Sequence, residues 1–194
     1  IQERRNVNQP MSRISMDLMF IGKKPILVIL DEFTRFAIVK VLEDQRADTL
    51  ANAFFKHFIL NHGPPEEILT DRGSNFLSAL FTKLCEQMQV TKINSTAYHP
   101  QANGANKRMH GTLYTILRNI TNQEGSDWRK KLPLAVYVYN TSKHSALRMS
   151  PYRALYGYNV RNVTLEFYRP EFESTADERI GKLREVHAWV MSRM

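Results

Sequence analysis

The sequence predicts an α/β fold, a five-stranded mixed sheet flanked by helices, and three observations predict it. Three short β-branched or aromatic runs come first, with turn residues between them. Two further short strands then alternate with helical patterns. From there on the apolar spacing is helical. Hairpin-type strands followed by strand and helix units close into one sheet with helices on both faces.

The elements follow in order. Residues 14–21, 24–33 ("KPILVILDEF") and 35–42 ("RFAIVKVL") read as three successive antiparallel strands, with Gly22-Lys23 and Thr34-Arg35 in the turns. Residues 47–61 carry Leu50, Ala51, Phe54, Phe55 and Phe58 on a helical stripe, ended by "HGPP". Residues 68–70 form a short strand that stops at Asp71. Phe76, Leu80, Leu84 and Met88 mark a helix over 76–88, and residues 90–93 a last strand. After a polar loop over 94–104, Met109, Leu113, Ile116, Leu117 and Ile120 predict a helix from about 103 to 121. Residues 127–139 form a further helix, and Ser150-Pro151 opens a short one with proline in its first turn. Residues 167–174 read as a linker and 176–194 as a charged amphipathic helix (Ile180, Leu183, Val186, Val190). The expected division is a linker over 1–10, a core domain over 11–160, and a linker with its helix over 161–194.

With 194 residues, 43% of them apolar, the chain is long enough for one domain with a sizeable core. No apolar run approaches the roughly 18 residues of a membrane span, so no membrane partner is expected. The abrupt start at Ile1 suggests a fragment of something longer. A net charge of +8 suits a nucleic-acid partner, although a plain basic domain would carry it too. Cys85 is the only cysteine, which excludes a disulfide framework and fits a reducing compartment.

Two residues stand out for chemistry. Asp17 lies amid the apolar "ISMDLMF", where a charge is costly unless compensated. Asp71 ends a strand in "LTDRGSNF", and ligands gather at strand ends of α/β sheets. Brought together, two carboxylates suit a divalent ion. Taken singly, Asp71 also suits an ordinary turn and Asp17 a strand edge facing water.

Longer motifs change that balance. "ISMD…ILVILDEFTRFAIV", "ILTDRGSNF", "STAYHPQANG" and "AVYVYNTSKHSALRMSPYRALYGY" resemble the catalytic core of retroviral-type integrases, and most of all those of Gypsy-class LTR retrotransposons. The resemblance runs from about Asp17 to Tyr158 and implies an RNase H-like fold. It also implies three metal-binding carboxylates, Asp, Asp and Glu, holding two Mg²⁺ ions for attack on a phosphodiester. The first two fall on Asp17 and Asp71. The third, separated from the second by thirty-five intervening residues, falls on Lys107.

No acid stands in for the missing glutamate, because none occurs from Gln87 to Gln123. At about 4 Å and an effective dielectric near 20, unit charges interact by roughly 4 kcal/mol, so an ammonium in place of a carboxylate reverses a large attraction for a 2+ ion. The expectation is a relic site, catalytically inactive, with Lys107 paired to Asp17 or Asp71 or else simply solvated. No cofactor is expected, and Mg²⁺ or Mn²⁺ only if Asp17 and Asp71 retain residual binding. None of the histidines, His99 and His144 included, is expected to ligate metal, and Asp31 is read as structural. His110 and the Ala105-Asn106 pair depart from the family pattern and read as drift.

The resemblance also implies self-association through the 47–61 and 127–139 helices, with Phe55 and Trp128 as candidate interface residues. The expected function is a transposon-derived integrase core kept as a dimerisation or protein-interaction scaffold, with a homodimer and a further protein partner. The alternatives are a sequence-independent DNA- or RNA-binding module, or a retrotransposon integrase with an inactivated site. An intracellular and specifically nuclear location is expected.

Overall fold

The computed structural model of the chain describes residues 9–94, 100–121, 127–160 and 176–193. Strands β1 (Arg13–Ile21), β2 (Lys24–Asp31) and β3 (Ala37–Val41) form an antiparallel meander. Strand β4 (Glu67–Thr70) joins β1 in parallel, and β5 (Thr91–Asn94) joins β4 in parallel. The sheet order is β3-β2-β1-β4-β5, which is the five-stranded mixed sheet read from the sequence.

Alternation along β2 divides the core between the two faces. Leu27 and Ile29 point one way, into a cluster with Leu50, Phe54, Phe58, Phe81 and Cys85. Ile26, Val28 and Leu30 point the other way, onto Met109, Leu113, Leu117, Leu132 and Ala135. Both faces being covered, β2 is buried at seven of its eight positions and reads as a continuous apolar run.

The first face is covered by α1 (Ala47–Phe54), a π-helical stretch (Phe55–Ile59), a last turn α2 (Leu60–His62), and α3 (Ala79–Gln87). Gly63, at φ 80°, ends that run in a conformation most residues resist. The second face is covered by α4 (Pro100–Thr121) and α5 (Trp128–Thr141). Helix α6 (Pro151–Tyr156) follows, capped by Ser150, and α7 (Ala176–Met191) docks on it by burying Val190 against Phe33, Leu147 and Ala154.

Three expected details differ. Helix α3 begins at Ala79 because the Ser78 hydroxyl accepts from the Phe81 N–H at 3.2 Å. That phase buries Phe81 and Cys85 and leaves Leu80 half exposed, so the Phe76-Leu80-Leu84-Met88 stripe is not the buried one. Helix α4 begins at Pro100, inside the stretch read as loop. The 47–61 helix is interrupted by the π-helical stretch. The linker over 167–174, His99, and the side chains of Ile180 and Leu183 lie outside the described residues.

Candidate active site

The register of the parallel pair creates the site. Met16 on β1 stands beside Thr70 on β4, so the next positions along each strand are Asp17 and Asp71. Asp17 remains within β1, opposite Val28 of β2, while Asp71 is the first residue past β4. The Asp17 Oδ1 accepts from the Leu18 N–H at 2.9 Å. The Asp71 Oδ1 accepts from the Gly73 N–H at 2.8 Å. A Cβ on residue 73 would fall 2.9 Å from that same oxygen, so the "DRG" turn needs glycine for this close approach.

Helix α4 supplies the other wall. Asn106 is buried, and its Oδ1 accepts from the Ser15 hydroxyl at 2.9 Å, which fixes the helix on β1. The phase so set turns His110 toward Asp17, with Nε2 lying 3.8 Å from Oδ2. That distance is too long for a hydrogen bond, and Nε2 is buried with no partner among the described residues. Lys107 is exposed one turn earlier. Among the described residues no carboxylate forms an ion pair with Lys107, so the expected bridge to Asp17 or Asp71 is not formed. The Lys107 charge reaches Asp17 only at longer range.

Burial, and next the neighbouring Asp71 carboxylate, push Asp17 up to about 6; the Leu18 N–H and Lys107 oppose the shift. Burial pushes His110 below its ordinary value. Both effects favour the uncharged forms, so the 3.8 Å approach is not a strong ion pair. Asp31 belongs to a different environment. It is 1% exposed and accepts from the backbone N–H groups of Met11, Phe33 and Thr34 and from the Thr34 hydroxyl, tying down the β2–β3 turn. That is a structural role.

Two adjoining aspartates at the strand ends with a helix across them make up this crevice, and similarity to known proteins gives the family of the core around it. Residues 7–100 match the integrase core domain family. The chain carries an integrase core of the retroviral and transposon type. Among its relatives is the retrovirus-related Pol polyprotein from transposon 412 of Drosophila melanogaster, 29% identical over 70% of this chain and 11% of that protein. Another is the Gypsy retrotransposon integrase-like protein 1 of Bos taurus, 24% identical over 79% of this chain and 32% of that protein. The chain therefore spans a small part of the relatives it matches. The catalytic core of BIV integrase superposes with a TM-score of 0.64 at 20% identity, covering 75% of this chain and 93% of that one. The HTLV-2 integrase catalytic core domain, in a complex with magnesium, gives 0.66 at 18% identity, covering 77% and 98%. The fold is RNase H-like.

The donors of this integrase core do not match a three-carboxylate, two-metal arrangement. The crevice offers two carboxylates, a buried imidazole and a nearby ammonium. Among the described residues, no three His, Cys, Asp or Glu side chains are gathered closely enough to hold a metal ion.

Phe55 and Trp128 lie on opposite faces of the sheet. Each is part-buried against its own core cluster, Phe55 with the α1 and α3 side and Trp128 with the α4 and α5 side. The residues that sequence reading missed are His110, taken for drift, and Asn106, which proves to be a buried anchor. Helical phase was the available signal: once Met109 and Leu113 face the sheet, Asn106 shares that face and His110 flanks it.

Proposed function

We propose that this integrase core does not carry out strand transfer and serves as a dimerisation or protein-interaction scaffold. Asp17, Asp71 and Lys107 are then the relic of the three-carboxylate site. The observation that carries this reading is Lys107 in the glutamate position, with no acid from Gln87 to Gln123 to replace it. His110 beside Asp17 supports it, since an imidazole whose protonation burial disfavours stands where a charged donor set would hold a metal ion. The magnesium named with the HTLV-2 core suggests what an intact donor set would hold.

The test is a strand-transfer and 3′-processing assay on short DNA duplexes with Mg²⁺ and with Mn²⁺. No product above background is expected. Product formation that Asp71→Asn abolishes would overturn the reading. Sequence-independent nucleic-acid binding is the second reading, favoured by the net charge of +8.

A further inference from the structure

Helix α4 has a second flank. At about 100° per residue, Ala105, Arg108, Thr112 and Ile116 fall on the side away from Lys107 and His110. There the helix borders a cavity of about 400 Å³, closed by the β2–β3 turn and by the segment that leaves α5. The volume is within the range of small-ligand pockets.

The lining is divided by chemistry. Arg35, Arg108 and Lys143 contribute three cations from three different elements, and among the described residues no aspartate or glutamate lines the cavity. Thr112, Tyr139 and Ser142 add hydroxyl groups. Leu30, Met109 and Ile116 form an apolar wall. Two guanidiniums and an ammonium suit a phosphate, which guanidinium forks grip through paired hydrogen bonds. The volume and the apolar wall exceed what a bare phosphate needs and leave room for a flat organic group.

Arg35 adds an independent observation. It holds φ at 61°, a left-handed conformation that is costly for a residue with a Cβ. The four hydrogen bonds accepted by Asp31 fix the turn around it. Glycine would relieve that strain but would take no part in the cavity.

We propose that this cavity binds a nucleoside phosphate, the phosphate on Arg35, Arg108 and Lys143 and the nucleoside against Leu30, Met109 and Ile116. The ligand is a free nucleotide or a unit of a single strand, since both present the same chemistry. The site is separate from the aspartate crevice and does not depend on whether that crevice is active.

His144 reports on it. It lines the same cavity, with Nδ1 buried and unpartnered among the described residues. Burial, then the charges of Arg35 and Arg108, lower its pKa. A bound phosphate offsets those charges, so the His144 pKa rises.

The test titrates the full chain, followed by histidine NMR, with adenosine 5′-monophosphate, inorganic phosphate and a 5′-phosphorylated tetranucleotide. Saturable binding that raises the His144 pKa is expected. Arg35→Gly, which the backbone accepts without strain, and Arg108→Gln should each weaken binding about tenfold. Lys83→Gln, which removes the same charge from α3 on the other face of the sheet, should leave it intact. A response to the mononucleotide identifies the free nucleotide as ligand; a response to the tetranucleotide alone identifies a strand. Inorganic phosphate binding as tightly as the mononucleotide, an equal loss in Lys83→Gln, or an unmoved His144 would overturn the proposal.

Discussion

Asp17 shows how much of the crevice a single residue reveals. A carboxyl amid apolar neighbours signals its own cost in the sequence, and the structure attributes that cost to burial and to Asp71. With a pKa near 6 against an ordinary 3.8, the folded state binds the Asp17 proton more tightly than the unfolded state. Stability from this group is therefore highest below about pH 4, declines as pH rises to about 6, and stays low above that. The penalty at neutral pH is on the order of 2 kcal/mol, allowing for screening of a side chain that is 27% exposed. Asp17→Asn should thus stabilise the fold above pH 6 and change little near pH 4, as read by urea denaturation at both. An equal gain at both pH values would show that packing, not ionisation, is responsible. His110 was illegible for a different reason. Helical phase puts Asn106 on the buried face and His110 beside it, but nothing in the linear order pairs that flank with Asp17; the buried Asn106–Ser15 bond does so, and that bond spans ninety-one positions.

At the scale of elements, apolar periodicity located every strand and most helices, because each needs one or two faces buried. It failed where a local bond outweighed it. The Ser78 cap sets the phase of α3, and the π-helical stretch after Phe54 brings Phe54 and Phe58 into a stacked pair at 5.6 Å. The "YNTSKH" motif was legible as a resemblance, and its physical use is now clear. The Asn140 side chain accepts from the Ala37 N–H at 2.9 Å and donates to the Ala37 carbonyl at 2.8 Å. It thereby pairs the open edge of β3 as a sixth strand would and fastens α5 to the sheet. Asn140→Ala leaves two buried backbone groups unpartnered, for a loss of about 3 kcal/mol by denaturant unfolding. Asn140→Asp should be nearly as harmful, since a carboxylate can accept from the N–H but cannot donate to the carbonyl. A loss below about 1 kcal/mol in both variants would mean that the edge is held by packing alone.

For the molecule as a whole, the proposed scaffold requires a surface that survives without the crevice. Helices α1 and α5 cover opposite faces of the sheet, yet both border β3, its edge strand: α1 lines a cleft with Val41 and Leu42, and α5 holds Ala37 through Asn140. A two-fold partner meeting this edge could therefore set α1 of one copy against α5 of the other, an isologous arrangement that uses each helix twice. Phe55 and Trp128 each already give part of their area to their own core, so neither reports cleanly on association. Leu134 and Tyr137 do better, since they stand on α5 47% and 49% exposed. Aromatic side chains such as Tyr137 at the centre of an interface dominate its energy, and a charge placed beside them at position 134 would be buried unpaired. Light scattering at micromolar concentration should give twice the 22.6 kDa chain mass. Leu134→Asp should return the monomer with an unchanged melting temperature, because it removes no core contact. Phe55→Glu and Trp128→Glu should also dissociate the dimer, at some expense of fold stability. A monomer at every concentration would remove the dimerisation part of the scaffold reading, and a dimer indifferent to all three substitutions would move the interface away from the β3 edge.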